Sequence, residues 1–260
     1  MKVLFKYMKL FAIYLFNILF VLIFCPILFY NYIDFNIQFK KNNFYISFLT
    51  RVIYKYSFAY TISTFIYDFP VYSKIYKLIP ELKGNVLQVG CGNGLYNLYI
   101  KKYCKRHISS ITNLDINYNL LKNGQKKGLF KEIIHASVYS IPESNIKYDY
   151  ILFARCFHHI KYHRKALKEC GKVLKTGGKI IIFDPVHDTK REMKSFMMNS
   201  LFDGLIWVFN KYSFSKYIES VLPEGMFLES YTCTKQVHFS NYNLHFSLSD
   251  GLIIIKNGNE

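Results

Sequence analysis

The residues of this sequence that are best suited to chemistry form a glycine-rich turn after a short apolar segment. The segment Val86–Val89 is followed by Gly90, Gly92 and Gly94, and a helical pattern begins at Leu95. Glycine permits a sharp backbone turn and close approach of a ligand, and the amino-terminus of the following helix favours a negatively charged group. The pattern therefore predicts a ligand-binding loop between a strand and a helix.

The spacing of these glycines restricts the kind of ligand. The sequence contains no G-x-x-x-x-G-K-[ST] phosphate loop. A dinucleotide loop requires a glycine three residues after Gly92, where this chain has Leu95. The G-x-G-x-G turn therefore favours a ligand without a pyrophosphate.

A carboxylate and a pair of histidines follow two later apolar segments. Asp115 ends the segment Ser110–Asp115, where an acidic residue contacts ribose hydroxyls in nucleoside-binding folds. Asp115 is also suited to cap the next helix, and the two roles are compatible. His158 and His159 follow the segment Tyr148–Phe153, and neutral His158 would accept a proton near pH 7. The alternative role for these histidines is to hold the next helix in place.

A parallel sheet would bring these residues together. From Pro80 onward, apolar segments alternate with amphipathic ones, which predicts an α/β fold with a doubly wound, Rossmann-like, mostly parallel sheet. Helices are predicted after the first, second and fourth strands. The predicted strands are Asn85–Val89, Ser110–Asp115, Glu132–Ala136, Tyr148–Phe153 and Lys179–Phe183.

Four motifs in this sequence resemble those of the class I S-adenosylmethionine-dependent methyltransferases. They are VLQVGCGNG, ITNLDINYNLL, YDYILFARCFHHI and LKTGGKIIIFDP. The resemblance is dense over about residues 65–185 and is strongest to the broad methyltransferase-domain group that includes ubiquinone and menaquinone methyltransferases. It implies a seven-stranded sheet closed by Met226–Thr232 and Gly251–Lys256, methyl transfer as the reaction, and S-adenosylmethionine as the cofactor.

The resemblance also implies particular contacts to the cofactor. Gly90, Gly92 and Gly94 would surround its methionine part. Asp115 would hold the ribose, and Ile116 would pack on the adenine.

Two of the expected cofactor-binding positions depart from the family pattern. Gln88 stands where the family often has Asp or Glu, which implies a weaker or water-mediated contact to the cofactor's ammonium group. Ser137, which is followed by Val138, stands where the family commonly has an Asp that the adenine amino group reaches. Because of these departures, one alternative is that the protein binds the cofactor but has no catalytic activity.

The sequence also bears on the methyl acceptor. Methyl transfer needs alignment and sometimes a base, and His158 is the candidate for a base or a substrate-orienting residue. The [DNS]-P-P-[YFW] motif of enzymes that methylate the amino groups of nucleic-acid bases is absent after the fourth strand. Apolar side chains at helical spacing over residues 190–210 predict a cap (about 187–222) over an apolar substrate, although such a stripe is also typical of plain core. No pattern predicts a metal site.

The amino-terminal part of the chain predicts a membrane anchor. Residues 10–30 are apolar except for Asn17, and as a helix they would span roughly 32 Å, enough to cross a bilayer. We expect an anchor over residues 1–33, aromatic-rich connecting helices over 34–79, and the methyltransferase domain over 80–260. Residues 44–66 suit either the membrane interface or an ordinary helix. The flanking charges leave the orientation open, and the need for cytosolic cofactor favours a cytoplasmic catalytic domain.

The charge of the chain suggests a second class of partner. The formal net charge is +17, and lysines cluster on the first and second predicted helices. Such a surface fits anionic lipid or RNA phosphates, although solvated lysines on outer helices are the simpler explanation. The six cysteines are scattered without a C-x-x-C pair, which fits a reducing compartment. The leading hypothesis is methylation of a hydrophobic or lipid-linked small molecule at a membrane, and the alternative is a tRNA or RNA methyltransferase.

Overall fold

Strands and helices of the computed structural model alternate along the part of the chain that it describes. The described residues are 82–92, 94, 96–97, 100, 108–143, 145–190, 192–193, 207–234, 237–241 and 244–258. The predicted anchor (1–33), the connecting segment (34–79), residues 194–206 of the predicted cap and the basic cluster of the first helix lie outside them. Within these described ranges, no helix is both long enough and apolar enough to cross a bilayer.

The first part of the sheet follows the predicted alternation closely. Tyr96, Asn97 and Ile100 lie in helical backbone after the first strand. The elements in chain order are β1 (Gly84–Val89), β2 (Ile108–Asp115), α1 (Tyr118–Lys126), β3 (Glu132–His135), β4 (Tyr148–Ala154), a 3₁₀ turn (Phe157–His159), α2 (His163–Val173) and β5 (Leu174–His187).

The second part of the chain closes the sheet with two predicted strands and three further elements. These elements are β6 (Phe209–Asn210), α3 (Phe214–Val221), β7 (Met226–Cys233), β8 (Val237–Asn241) and β9 (Leu244–Asn257). Two of the strands, β7 and β9, are the predicted closing pair, and β9 begins earlier than predicted. Neither β6, β8 nor α3 was predicted, and α3 lies within the predicted cap.

The strands form a mixed sheet with the order β3-β2-β1-β4-β5-β9-β7. The pairs among β1 to β5 are parallel, whereas β9 is antiparallel to both β5 and β7. In the described residues β6 adds a short parallel pairing to β5, and β8 pairs with β9. The predicted path of seven mostly parallel strands is therefore confirmed.

The central strands β1 and β4 and the second half of β5 are largely apolar because both faces of the sheet are buried there. Alternate residues of the same strand point to opposite faces and fall into two separate buried clusters. The first cluster includes Leu87, Val89, Ile151, Phe153, Ile180 and Ile182. The second includes Val86, Leu152, Ala154, Ile181 and Phe183. Ile100 packs in the second cluster, whereas α2 packs in the first. Helices thus cover both faces, as a doubly wound fold requires.

Two local features differ from the prediction for physical reasons. Asn117, not Asp115, caps α1, because its side chain accepts the backbone N–H groups of Asn119 and Leu120 at 3.1 and 3.2 Å. The strand β5 begins five residues earlier than expected. A register shift against β4 accommodates the residues from Lys175 to Gly178 as a bulge, so the glycine pair does not end the strand.

Candidate active site

The three loop glycines lie directly after β1, at the carboxyl end of the sheet, and all of them need glycine's conformational freedom. Their φ angles are +61° at Gly90, +54° at Gly92 and +85° at Gly94, in the left-handed region that other residues avoid. A Cβ atom at Gly90 would lie 2.9 Å from Sγ of Cys156, and one at Gly94 would lie 2.6 Å from the Phe130 ring. The loop is therefore packed against its neighbours as closely as glycine allows.

Asp115 connects this loop to the end of β2. Its Oδ2 accepts the N–H of Gly92 at 2.8 Å, and its Oδ1 accepts the N–H of Asn117 at 2.8 Å. Burial raises the pKa of Asp115, and these backbone donors oppose the rise. Because each carboxylate oxygen has two acceptor positions, the side chain retains capacity for ribose hydroxyls while it holds the loop.

Ile116 follows Asp115 and presents an apolar surface at the same end of the sheet. Its side chain is 54% exposed, and its carbonyl accepts a hydrogen bond from Nε2 of His135 at 2.9 Å. His135 ends β3, the neighbour of β2. An exposed isoleucine next to a buried carboxylate fits a ligand with an apolar ring and adjacent hydroxyls, as predicted for the nucleoside.

Gln88 lies one residue before the end of β1 and is fully buried. Neither Nε2 nor Oε1 of its side chain has a hydrogen-bond partner among the described residues. An unsatisfied buried polar group costs about 1–3 kcal/mol. An ammonium group of a bound ligand would donate to Oε1, whereas Nε2 would need an acceptor, so the contact to the cofactor's ammonium group stays a prediction.

Ser137 and Val138 lie in the turn after β3. The hydroxyl oxygen of Ser137 accepts the N–H of Tyr139 at 3.2 Å, which gives this side chain a local structural role. The side chain of Val138 is 7% exposed and packs in the first buried cluster. Any contact of Val138 with a cofactor would therefore be through its backbone, and both residues remain predictions for the adenine end of the site.

His158 lies in the 3₁₀ turn after β4 and contacts a carboxylate that the sequence did not single out. Its Nδ1 forms a hydrogen bond with Oδ1 of Asp184, and its backbone N–H donates to Oδ2 of Asp184 at 3.0 Å. Both side chains are buried. Burial raises the pKa of Asp184 to about 7, and the positive charges of His159 and Arg155 oppose the rise.

Further charged residues surround this pair. Arg155 directly follows β4 and has a φ of +51°, a conformation that is strained for a residue with a side chain. Its Nε lies 3.6 Å from Oδ1 of Asp250 in β9. His187 ends β5, and burial lowers its pKa to about 4. Residues from three neighbouring strands thus place ionisable groups at one point of the site, and no sequence spacing relates them.

His163, which the sequence did not single out, fastens the turn to the next helix. Its Nε2–H donates to the carbonyl of Phe157 at 2.9 Å, and its Nδ1 accepts the hydroxyl of Tyr217 at 2.5 Å. The ring stacks on Phe157 with centroids 4.0 Å apart. Burial lowers the pKa of His163 to about 4, so the neutral ring joins the turn, α2 and α3.

This arrangement defines a class of protein. A glycine loop after β1, a carboxylate at the end of β2 and a strand order that reverses between β1 and β4 are typical of α/β enzymes that bind a nucleoside cofactor at the carboxyl ends of the strands.

Comparison with known proteins identifies the family within this class. A family model described as "Methyltransferase domain" matches residues 87–182. The ubiquinone/menaquinone biosynthesis C-methyltransferase UbiE of Rickettsia prowazekii (strain Madrid E) is 28% identical over 195 residues, which cover 68% of this chain and 76% of that protein. The protein of the same name from Rickettsia akari (strain Hartford) is 26% identical over 245 residues, 88% of this chain and 98% of that one.

A solved structure agrees with these matches at the level of the fold. An S-adenosylmethionine-dependent methyltransferase from Thermotoga maritima has a TM-score of 0.57 and 15% sequence identity, over 80% of this chain and 99% of that chain. The present chain belongs to the class I S-adenosylmethionine-dependent methyltransferase superfamily. It is a methyltransferase, and its cofactor is S-adenosylmethionine.

Proposed function

We propose that this enzyme methylates a ring carbon of an apolar, quinone-type small molecule. The observation that carries the proposal is the similarity, along 88% of the chain, to a protein named as a ubiquinone/menaquinone biosynthesis C-methyltransferase. Membrane association is part of the proposal. It is supported by the apolar run over residues 10–30, with the anchor over 1–33, the connecting segment over 34–79 and the catalytic domain over 80–260.

The aromatic residues beside His158 support an apolar acceptor. The backbone N–H of Trp207 donates to the carbonyl of His158 at 3.0 Å, which fixes one point of the predicted cap to the site. Trp207 and Phe209 lie in a group of aromatic rings with His163, Tyr217 and Phe157. His163, Phe157 and Phe209 are buried, whereas Trp207 and Tyr217 are only partly buried, so these two are the rings that an apolar acceptor would meet.

The chain's own residues have distinct tasks in this reaction. When bound, S-adenosylmethionine supplies an electrophilic methyl group on a positively charged sulfur. Gly90, Gly92 and Gly94 would surround the methionine part, Gln88 would contact its ammonium group, and Asp115 would hold the ribose. Alignment of the reacting atoms supplies most of the acceleration in such a displacement.

A proton must also leave the acceptor, because a methyl group replaces a ring hydrogen. His158 lies at the carboxyl end of β4, where the acceptor would approach. We assign to His158 the acceptance of that proton.

The first test uses S-adenosylmethionine labelled on its methyl group and measures which products contain the label. Full-length protein is incubated with a membrane-containing cell extract, and the products are separated into organic, RNA and aqueous fractions. We expect the label in the organic fraction. Label in RNA would replace the proposed acceptor by a nucleic acid, and label in polar small molecules would also contradict the proposal.

A matched pair of variants controls for labelling by other enzymes in the extract. Asp115→Asn weakens the cofactor site. Asp149→Asn changes a carboxylate at the start of β4, at the opposite end of the sheet, where Asp149 pairs with Lys175 at 2.8 Å. Labelling should fall with Asp115→Asn and persist with Asp149→Asn.

A further inference from the structure

Asp184 holds both the backbone and the ring of His158. One carboxylate oxygen accepts the backbone N–H at 3.0 Å, and the other contacts Nδ1 of the ring. Asp184 is fully buried in β5, and His158 is 6% exposed. The register of the two strands pairs Ala154 with Phe183, so Asp184, the next residue of β5, reaches the turn after β4. The carboxylate therefore fixes the position and the rotation of the imidazole together.

While Asp184 is ionised, this contact determines which ring nitrogen carries the proton. An ionised carboxylate only accepts hydrogen bonds, so Nδ1 of His158 must be the donor. In the neutral ring the lone pair is then on Nε2, the nitrogen that lies away from Asp184. When Nε2 accepts a proton, the adjacent carboxylate stabilises the resulting imidazolium.

We propose that Asp184 is a positioning residue that holds His158 in the Nδ1–H form, so that Nε2 of His158 accepts the proton released during methyl transfer. This inference rests on the proposed function. The acceptor hydroxyl gives its proton to Nε2, its ring carbon forms the bond to the methyl group, and the electrons of the broken methyl–sulfur bond remain on sulfur. The ring carbon then loses its own hydrogen as a proton while the ring oxygen regains one, so a single proton leaves in total.

Other ionisable groups around the pair influence the same equilibrium. They come from the end of β4, from the turn itself, from the start of α2 and from the end of β5, and are Arg155, Cys156, His159, His163 and His187. Protonation of Asp184 would make it a donor to Nδ1 and would move the ring proton to Nε2. Since burial raises the pKa of Asp184 to about 7, we expect kcat to fall on the acid side of neutrality.

The variant Asp184→Asn separates the role of Asp184 in orienting the His158 ring from its role in supporting the fold. The amide oxygen of Asn can still accept the backbone N–H of His158, but its NH₂ group faces Nδ1 and donates to it. The neutral ring must then carry its proton on Nε2. The fold contact is retained while the proton acceptor is lost.

The first measurement needs neither cofactor nor acceptor. Full-length protein labelled with ¹⁵N-histidine is examined by NMR at a pH above 7, and the signals of His158 are assigned by their loss in His158→Gln. We expect a protonated Nδ1 and an unprotonated Nε2 in the wild type, and the reverse in Asp184→Asn. A wild-type His158 with its proton on Nε2 would overturn the inference even if Asp184→Asn failed to fold.

The second measurement uses a short-chain prenyl naphthohydroquinone, kept reduced, as the methyl acceptor. Asp184→Asn should lower kcat by about 10²–10⁴-fold and leave KM for S-adenosylmethionine and its Kd by calorimetry unchanged. The matched variant is Asp149→Asn, because Asp149 also accepts a backbone N–H, that of Asn85 at 2.8 Å, and lies far from the carboxyl end. Its kcat should equal that of the wild type.

The two proposals fail in different ways. An unchanged kcat in Asp184→Asn, or an equal loss in both variants, would overturn the positioning role. If the hydroquinone is not methylated by the wild type, the proposed function fails, and kcat is then compared on whichever fraction takes up label. The NMR result is independent of that outcome.

Discussion

Single residues at the carboxyl end of β1 determine how the cofactor can be held. Gly90 combines a left-handed backbone with a neighbour at contact distance. Gly128, after α1, has a similar φ of +68°, but a Cβ atom there would have open space within 4 Å as far as the described residues extend. The two glycines therefore separate the effect of backbone strain from the effect of a collision in the loop.

We predict different consequences for Gly90→Ala and Gly128→Ala. Both variants should lose about 1–2 kcal/mol of stability, because alanine disfavours the left-handed conformation. In Gly90→Ala the new methyl group would also meet Cys156 at 2.9 Å, and the displaced loop should weaken cofactor binding by about tenfold or more. Calorimetry with S-adenosylhomocysteine and thermal unfolding of both variants measure the two effects. Equal cofactor affinity in the two variants would show that the loop absorbs the methyl group.

At the scale of elements, a neutral histidine joins three pieces of the fold. His163 opens α2, and its two ring nitrogens contact the 3₁₀ turn and α3. The ring is 2% exposed. Protonation would force Nδ1 to become a donor, and the hydrogen bond from Tyr217 would then have no acceptor unless its hydroxyl rotated.

We predict that this histidine makes the fold less stable in acid. Its pKa is about 4 in the folded chain, against 6.5 for an ordinary histidine. The unfolded chain therefore binds more protons between these values, and the stabilisation falls as the pH drops from 6.5 towards 4, by up to about 3 kcal/mol. Urea unfolding of the wild type and of His163→Gln across this range gives the difference.

The difference in unfolding free energy between the wild type and His163→Gln separates the effect of His163 from the effects of other titrating groups. His187 has a pKa lowered in the same direction, and Asp184 has one raised in the opposite sense, but both are present in each protein. The glutamine amide can replace both hydrogen bonds without a proton. We expect the stability of His163→Gln to depend less on pH than that of the wild type. Parallel plots of unfolding free energy against pH for the two proteins would contradict this.

At the scale of the whole molecule, the proposed anchor and the catalytic domain should act together. We predict that the full-length protein binds lipid vesicles through its amino-terminal apolar run. Leu19→Lys combined with Ile23→Lys should release it, because each lysine near the centre of a membrane helix costs about 2.5–3.5 kcal/mol. Flotation with vesicles measures the bound fraction.

The control for this prediction adds the same charge elsewhere. Ile146→Lys combined with Tyr212→Lys changes two exposed side chains of the catalytic domain, which are 47% and 69% exposed. That variant should float like the wild type. If both double variants float equally, binding depends on another part of the chain.

The sequence predicts features that depend on local patterns. The order of the parallel strands, the glycine loop and the buried carboxylate at the end of β2 follow from apolar segments and from the residues that end them. The contact between His158 and Asp184 could not be predicted, because the two residues are 26 positions apart and meet only through the β4–β5 register. The sequence motif LKTGGKIIIFDP contains Asp184 but does not indicate which residue its side chain contacts.

Two further differences arise from competition between local signals. Asp115 and Asn117 are both suited to cap α1. Asn117 is the cap, because the Asp115 carboxylate accepts the N–H of Gly92 in the glycine loop. The predicted fifth strand starts at Lys179, directly after Gly177-Gly178, yet β5 starts at Leu174 and continues past the glycines through a bulge. Only the pairing of neighbouring strands decides such cases.

The position of β9 between β5 and β7 has a consequence for the time course of synthesis. Among the described strands, β7 pairs only with β9, although β7 precedes β9 in the chain. On a ribosome β7 is therefore made before the strand that it needs, and about one to five seconds pass before β9 follows at ordinary elongation rates. Until β9 inserts between them, the facing edges of β5 and β7 have unpaired backbone groups, and such edges are open to pairing with other strands.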